Sequence, residues 1–442
     1  MAVFESVFWV LVLIGIMIMV HELGHFWAAR YFKVKVEAFS FGLGPRLFGF
    51  RWGDTDYRIS AIPFGGFVKM AGEQMGGEEG EPDPDGFMGK PRWQRLIIAA
   101  AGPAMNIILA VGLLTGLYMV KYEKIAEPEV RGLIGHVVKD SAAEAAGVRE
   151  GDRIVAIDGV ENPSWEDILL KEIAGAFQPL RVSIERTGER FDVHVTPTLH
   201  ERSGVGWAGW AQKNPIEVGR VSEGMPAEAA GLRRGDLLVS VDGHEIHARS
   251  KLVEVIKASE GRPVEVVYER DGERHSTTIQ PVYNKVDGES YWMIGIQPDI
   301  RFQLETLQLS LPDAFTQAVE QNRKGATLIF QFLRGMVERR MSAKQLQGPI
   351  GIAKLSSDAA KEGPSEFIHL MSMVSLNLAI FNLLPIPILD GGVILLLLVE
   401  MAMRRDLSIP VKEAVIKVGF VFLMAVMVFA LYNDISRILP TG

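Results

Sequence analysis

The chain has 442 residues, of which 48% are hydrophobic, and its formal net charge is −8. The negative charge argues against a nucleic-acid partner, and the absence of cysteine excludes disulfides, cysteine zinc ligands and a cysteine nucleophile. The length allows two or three domains, and the hydrophobic fraction is high for a purely soluble protein. The apolar residues gather at both ends of the chain, whereas the middle resembles ordinary globular sequence.

Four stretches are apolar enough to cross a lipid bilayer, which takes about 20 residues per helix. They are Phe4 to Tyr31, Leu96 to Val120, about Phe367 to Val399, and about Val418 to Tyr432. The third stretch is interrupted by polar residues and prolines, namely Asn377, Asn382, Pro385, Pro387 and Asp390. The first stretch lacks a basic flank and a small-residue cleavage site, so it does not match a cleavable signal peptide.

Lysine and arginine predict the orientation of these spans, because short cytoplasmic loops carry an excess of both. The loops between the first and second spans and between the third and fourth spans are rich in basic residues, whereas residues 1–6 have none. We therefore expect both loops in the cytoplasm. The two termini and the large segment 121–366 should lie on the opposite side.

The first span carries an ionisable motif, His21-Glu22-Leu23-Gly24-His25. Two histidines four residues apart share a helix face and can bind one zinc ion, while Glu22 can approach a metal-bound water. Ionisable groups are costly inside a bilayer, so their presence there predicts a functional site. The alternative is a helix end that emerges into water with both histidines at the interface.

Catalytic zinc sites usually have three protein ligands and one open position. Asp390 is the best candidate for the third ligand, because it is the only carboxylate of the predicted third span and lies at a depth comparable to that of His21. The other histidines lie in the middle segment or near the opposite end of the third span, at positions 136, 194, 200, 244, 247, 275 and 369.

The middle segment contains an internal repeat. SAAEAAGVREGDRIVAIDGVE at 141–161 recurs as MPAEAAGLRRGDLLVSVDGHE at 225–245, and each copy predicts a short helix, a Gly-Asp turn and a strand. The copies resemble PDZ domains of bacterial proteases over residues 125–200 and 213–284. PDZ domains bind extended peptides, so we expect peptide ligands unless the copies serve only as spacers or steric covers.

Residues 312–345 predict a long amphipathic helix that begins near Pro312. It could brace the PDZ domains or lie along the membrane surface. Packing on soluble protein is the alternative.

The first-span motif together with Asn382-Leu-Leu-Pro-Ile-Pro-Ile-Leu-Asp390-Gly391 resembles the site-2 protease family of intramembrane zinc metalloproteases. The resemblance implies a multi-pass α-helical membrane protein with four transmembrane helices, a re-entrant β-loop and two tandem periplasmic PDZ domains. It places the chain in the bacterial inner membrane, with both termini periplasmic and the active site toward the cytoplasm. We expect domains at 1–124, 125–205, 206–285, 286–365 and 366–442.

In the expected mechanism, His21, His25 and Asp390 hold one zinc ion per chain, which lowers the pKa of bound water. Glu22 takes a proton from that water and passes it to the leaving amine. Asn382 would hydrogen-bond the substrate backbone or the oxyanion, and Pro385 lies in the same substrate-binding stretch. An interhelical contact is the alternative role for Asn382.

Residues 41–72 mix strand-like stretches with glycines, and the resemblance implies a re-entrant β-loop here. An edge strand at Gly65, Gly66, Phe67, Val68 and Lys69 could pair with an extended substrate, whereas the alternative is a plain cytoplasmic hairpin. Asn106 in the second span is interpreted as structural. The sequence Gly348-Pro349-Ile350-Gly351 suggests no chemical role.

The resemblance implies a single-span anti-sigma factor as substrate, trimmed first on the periplasmic side and then cut to start an envelope-stress response. Remnant signal peptides are a second substrate class. Two other functions remain open at this point. They are a membrane-anchored PDZ scaffold for misfolded periplasmic chains and a metal transporter.

Overall fold

A computed structural model describes residues 2–73, 83–125, 131–200, 204–286, 289–301, 304–338, 340 and 348–438. In these ranges the helices are α1 (Ala2–Tyr31), α2 (Arg92–Val120), α3 (Ala142–Ala145), α4 (Trp165–Ala174), α5 (Pro226–Ala229), α6 (Arg249–Ala258), α7 (Leu311–Val337), α8 (Pro349–Glu362), α9 (Pro364–Leu383), α10 (Asp390–Met403) and α11 (Ile409–Ile438). The strands are β1 (Val36–Trp52), β2 (Thr55–Met70), β3 (Tyr122–Ile125), β4 (Ile134–Val137), β5 (Arg153–Ile157), β6 (Val160–Glu161), β7 (Leu180–Arg186), β8 (Glu189–Val195), β9 (Thr198–Leu199), β10 (Gly206–Trp207), β11 (Trp210–Gln212), β12 (Ile216–Val221), β13 (Leu237–Val241), β14 (His244–Glu245), β15 (Val264–Arg270), β16 (Glu273–Ile279), β17 (Val282–Val286), β18 (Glu289–Met293), β19 (Ile296–Ile300) and β20 (Leu304–Leu307).

The chain divides into two compact units. The first contains Met1–Tyr122, Leu307–Phe330 and Leu346–Arg437, and the second contains Glu123–Thr306, Gln331–Gln345 and Ile438–Gly442. The long apolar helices and the hairpin of β1 and β2 belong to the first unit, and the repeat belongs to the second. The finer domain boundaries expected from the sequence stay predictions.

Within the described residues, four helices of the first unit, α1, α2, α9 and α11, are long and apolar enough to cross a bilayer, and the protein is a multi-pass membrane protein. The predicted third span differs from the structure, since α9 ends at Leu383 and a separate helix, α10, begins at Asp390. Pro385 and Pro387 explain the break, because proline lacks an N–H donor and disfavours a helical residue before it. Helix α11 contains the predicted fourth span and extends beyond it at both ends.

Two buried serines fix α9 on α2. The Ser375 hydroxyl donates to the carbonyl oxygen of Asn106 at 2.9 Å, and the Ser372 hydroxyl donates to that of Ala110 at 2.9 Å. An unpaired hydroxyl is costly in an apolar environment, and interhelical hydrogen bonds of this kind stabilise helix packing in membranes. The register of α9 against α2 is therefore set by specific polar contacts.

The hairpin of β1 and β2 bends back on itself. Phe39 of β1 pairs with Tyr57 on one side and with Val68 on the other, while Phe50 also pairs with Tyr57. The two long strands therefore form four segments in the order 46–52, 55–60, 38–41 and 66–70, in which the two outer pairs run antiparallel and the central pair runs parallel. Within the described residues, segment 66–70 is an edge of this sheet.

The sequence at Gly348 to Gly351 forms the N-terminus of α8, where backbone N–H groups lack partners inside the helix. The buried Asp434 carboxylate of α11 accepts from the N–H groups of Gly348, Ile350 and Gly351 at 2.9, 3.0 and 3.1 Å. A Cβ atom at Gly348 would lie 2.5 Å from Asp434 Oδ2. The motif therefore docks α8 onto α11.

The second unit contains two copies of one arrangement, as the repeat predicted. The first copy has the sheet β6-β5-β7-β8, and the second has the order β16-β15-β13-β12-β19, in which β14 also pairs with β13 as β6 pairs with β5 in the first copy. Arg186 Nε donates to Asp152 Oδ1 at 2.6 Å, and Arg270 Nε donates to Asp236 Oδ1 at 2.7 Å. Both aspartates are buried, so each repeated Gly-Asp turn contributes a buried, hydrogen-bonded carboxylate to its copy.

Helix α7 is the predicted amphipathic helix, and it ends at Val337, whereas residues 341–347 lie outside the described ranges. Its Ala314 and Ala318 are buried against Leu114 and Tyr118 of α2. Leu311, Phe315 and Val319 are exposed at four-residue intervals. The beginning of this helix thus packs on a membrane helix and presents a second apolar stripe outward.

Candidate metal centre

His21 and His25 lie one turn apart on the same face of α1, as their spacing predicts. Both residues are buried, with 7% and 9% of their surface exposed. Their Nε2 atoms lie 3.2 Å apart, so the two imidazoles converge on one point. This burial disfavours the alternative of a helix end that emerges into water.

Asp390 is the first residue of α10, and its carboxylate lies at the same point. Its Oδ2 lies 3.1 Å from His21 Nε2, and its Oδ1 lies 3.4 Å from His25 Nε2. In the described part of the chain, these three residues form the one group of His, Asp or Glu side chains spaced to hold a metal ion. The fold thus brings together the three side chains that the sequence suggested as ligands.

The donor set and its spacing fit zinc. Tetrahedral ligands at about 2.0–2.1 Å from zinc stand about 3.3 Å from one another, close to the three observed separations. Two neutral imidazoles and one carboxylate leave a fourth position for water or substrate. The three side chains therefore have the chemistry and the geometry of an open zinc site.

The backbone of α2 orients one of the imidazoles. His25 Nδ1 lies 2.8 Å from the carbonyl oxygen of Ile98, and because a carbonyl only accepts, Nδ1 carries the proton. In the neutral ring, the lone pair is then on Nε2, which faces His21 and Asp390. In metal sites, the second ring nitrogen of a ligating histidine typically donates to an acceptor of this kind.

Two glycines allow α1 and α2 to approach closely at this site. A Cβ atom at Gly24 would lie 2.8 Å from the Ala101 carbonyl carbon, and one at Gly102 would lie 2.7 Å from His21 Nε2 and even closer to His25 Nε2. Any larger residue at position 102 would occupy the space of the imidazoles.

The turn before Asp390 holds an unusual backbone. Ile388 has a φ of +87°, which is rare for a β-branched residue, and such strain concentrates at functional sites. Cβ atoms at Gly391 and Gly392 would collide with the backbone of residues 383–387. The turn therefore folds tightly over the start of α10 and aims Asp390 at α1.

The two other predicted residues of this stretch lie beside that turn. Asn382 is half buried in the last turn of α9, and Pro385 is exposed in the turn itself. Their substrate-binding roles stay predictions.

Glu22 lies under the edge segment of the hairpin. The backbone N–H of Val68 faces its carboxylate, and a Cβ at Gly66 would lie 3.4 Å from Glu22 Cγ. Lys69 Nζ pairs with Glu37 at 2.7 Å, the Phe67 ring faces Arg58, and Gly65 has a φ of +100°. Of the predicted β-loop residues, Gly66 and Val68 thus lie against the helix that carries the metal ligands, whereas these contacts of Gly65, Phe67 and Lys69 are within the hairpin.

Sequence reasoning assigned only a structural role to Asn106. Its side chain is fully buried on α2, and its Nδ2 lies 3.3 Å from His21 Nδ1. The signal in the sequence was a polar residue within an apolar span, which suggests a functional role.

Sequence reasoning also missed Glu400, which lies one residue beyond the predicted third span. Glu400 is 1% exposed, and its Oε1 lies 2.6 Å from Lys412 Nζ and accepts from the Leu407 N–H at 3.0 Å. Arg95 of α2 lies 3.9 Å from its Oε2. This buried cluster ties α10, the helix of Asp390, to α2 and α11.

The profile of peptidase family M50 matches residues 9–426. The regulator of sigma-E protease RseP of Salmonella typhimurium (strain 14028s / SGSC 2262) is 31% identical over 445 residues, which covers 97% of this chain and 98% of that protein. The protein of the same name from Escherichia coli (strain K12) is 30% identical over 456 residues, with coverage of 97% and 98%. A crystal structure of the PDZ domain of an SdrC-like protein from Listeria monocytogenes covers 20% of this chain and 90% of that domain at 22% identity, with a TM-score of 0.18, which is too low to carry an argument.

Proposed function

This chain belongs to peptidase family M50, a family of zinc metalloproteases, and we propose that it cleaves single-span membrane proteins within the bilayer. One observation carries the proposal. Ligand atoms of His21, His25 and Asp390 converge within 3.1–3.4 Å of one another among helices apolar enough to cross a membrane. A buried site of this kind serves hydrolysis only if substrate and water can both enter it.

We assign His21, His25 and Asp390 as ligands of one zinc ion per chain and Glu22 as the general base. When bound, zinc supplies Lewis acidity and lowers the pKa of water in its open position. Glu22 accepts the proton of the attacking water and delivers it to the leaving amine. The Val68 N–H faces the Glu22 carboxylate and would orient it for this transfer.

A transmembrane substrate must be extended before cleavage, because a helix conceals its peptide bonds in internal hydrogen bonds. The edge segment 66–70 supports pairing with such a strand, since it lies beside Glu22 and has no neighbouring strand on its outer side within the described residues. Asn382 and Pro385 would contact the substrate from the opposite side, near Asp390. Gly65 to Lys69 thus form the proposed substrate-binding edge.

The proposed substrate is an anti-sigma factor already cut on the periplasmic side, and the similarity to two proteins named regulator of sigma-E protease supports a role in sigma-factor control. Remnant signal peptides are a second class. The repeated domains would exclude intact periplasmic domains by size or bind extended peptides. Cleavage would release a cytoplasmic fragment and start envelope-stress signalling.

Glu22→Gln tests the catalytic assignment in purified protein with a single-span model substrate. We expect unchanged zinc content and cleavage lowered by about 100-fold or more, because the proton acceptor is lost. Glu5→Gln on the same helix is the matched control and should cleave normally, whereas Asp390→Ala should lose zinc. Normal cleavage by Glu22→Gln would refute the protease mechanism, and an intact protein that never cleaves would favour a PDZ scaffold.

The proposed location is the bacterial inner membrane, with both termini and the repeats in the periplasm and the hairpin on the cytoplasmic side. The absence of cysteine makes this easy to test with single introduced thiols. Asp54→Cys in the hairpin turn should react with an impermeant maleimide only after the membrane is opened. Asp271→Cys in a turn of the second repeat should react from outside, and the reverse result would contradict the orientation.

A further inference from the structure

The Asn106 side chain lies next to the metal ligands, and its hydrogen bonds are incomplete within the described residues. Its side chain is fully buried, and its Nδ2 faces His21 Nδ1 at 3.3 Å. Its Oδ1 has no hydrogen-bond partner among the described residues. Amide nitrogen and oxygen occupy nearly equivalent positions, so the contact with His21 decides which of them faces the ring.

The chemistry of His21 favours the oxygen. If the amide nitrogen donated to Nδ1, the proton of the neutral ring would be on Nε2, which points at His25 Nε2 and Asp390. That tautomer cannot bind a metal through Nε2. A metal-binding Nε2 requires a proton on Nδ1, and this proton needs an acceptor in a buried site.

We propose that Asn106 is a positioning residue whose Oδ1 accepts a hydrogen bond from His21 Nδ1 and keeps the His21 Nε2 lone pair directed at the metal. This inference rests on the zinc site proposed above. His25 provides a parallel, since its Nδ1 donates to the Ile98 carbonyl. Helix α2 thus orients both imidazoles, one through a backbone carbonyl and one through a side-chain carbonyl.

The position of Asn106 is itself held firmly. Its own carbonyl oxygen accepts from Ser375 of α9 at 2.9 Å, and this bond anchors α2 at the level of His21. Helices α1, α2 and α9 therefore meet in one chain of hydrogen bonds that ends at a candidate metal ligand. A purely structural role would require only that Asn106 fill this space.

The test measures the zinc affinity of purified full-length protein by competition with a chromogenic chelator. Asn106→Leu should lower affinity about 10- to 100-fold, the usual effect of losing a partner behind a metal-binding histidine. Asn106→Asp should stay within a few-fold of wild type or bind more tightly, because a carboxylate can only accept. Asn322→Leu is the matched control, since buried Asn322 donates to the Ala318 carbonyl on α7 and should leave zinc affinity unchanged.

The results separate this inference from the proposed function. Wild-type protein that binds no zinc would overturn the zinc site and the inference together. Wild-type affinity in Asn106→Leu would overturn the inference alone. If Asn106→Leu fails to fold, Asn106→Asp still decides, because a loss of 10-fold or more in that variant would mean that the amide donates to His21.

Discussion

Single residues decide how closely the first two helices approach. Gly24 meets the backbone of Ala101, and Gly102 lies directly against the two imidazoles. The motif around His21 predicted a metal site because it has local spacing, but the importance of Gly102 depends on which helix faces α1. Small residues at such crossings allow close packing in membranes.

Replacing Gly102 with alanine should damage the metal site. The added Cβ would lie 2.7 Å from His21 Nε2, so the imidazoles must move, and we expect zinc affinity to fall by at least about 10-fold. Chelator competition on purified protein measures this. Gly112→Ala on the same helix is the control, since a Cβ there meets nothing within 4 Å. Equal zinc binding by both variants would show that the crossing tolerates a methyl group.

At the scale of elements, the hairpin and α10 position the reacting groups. Alternation and glycines in residues 41–72 predicted strands, and the structure has two. Their folding into four segments depends on the double pairing of residues 38–41, which local sequence does not reveal. Likewise, two prolines predicted disruption of the third span, but only packing shows that the following helix starts at Asp390.

We expect the backbone of edge segment 66–70, rather than its side chains, to be important for cleavage. Val68→Pro removes the N–H that faces the Glu22 carboxylate, and we expect cleavage to fall at least about 10-fold while zinc content stays the same. Val68→Ala retains that N–H and should cleave within a few-fold of wild type. Cleavage of a model substrate and metal analysis measure the two effects. Similar activity in both variants would argue against a backbone role for this strand.

The buried cluster on α10 should contribute to stability. Glu400→Gln leaves Lys412 and Arg95 without their buried anion, which typically costs about 3–5 kcal/mol. We expect a lower unfolding temperature in detergent. Glu413→Gln removes an exposed partner of Lys417, 3.3 Å away, and should change stability by less than about 1 kcal/mol. An equal effect of the two substitutions would contradict the importance of burial.

At the scale of the whole molecule, the second unit contains a pH-sensitive group far along the chain from the metal ligands. Glu172 of α4 accepts from the Ala208 N–H at 2.6 Å and from Trp210 Nε1 at 3.0 Å. Burial raises the pKa of Glu172 to about 7, although these hydrogen bonds act in the opposite direction. The carboxyl group therefore titrates near neutral pH within the first copy of the repeat.

A raised folded-state pKa stabilises the folded state below the unfolded value of 4.5, and this stabilisation is lost as the pH rises through about 7. The shift corresponds to about 3 kcal/mol. Hydrogen exchange of α4, corrected for intrinsic rates, should show greater protection at pH 5 than at pH 8. Glu172→Gln should abolish this dependence and Glu166→Gln should retain it, so a dependence that persists in Glu172→Gln would identify another group.

The sequence by itself determined the four apolar stretches, the repeat and the three candidate ligands, because hydrophobic runs, recurring motifs and i, i+4 spacing are local properties of a chain. The tertiary structure decided what those residues contact. The proton on His25 Nδ1, the burial of Asn106 beside His21, the docking of Gly348 on Asp434 and the burial of Glu400 all depend on residues far apart in the chain. Such contacts follow from side-chain packing between elements, which no local pattern encodes.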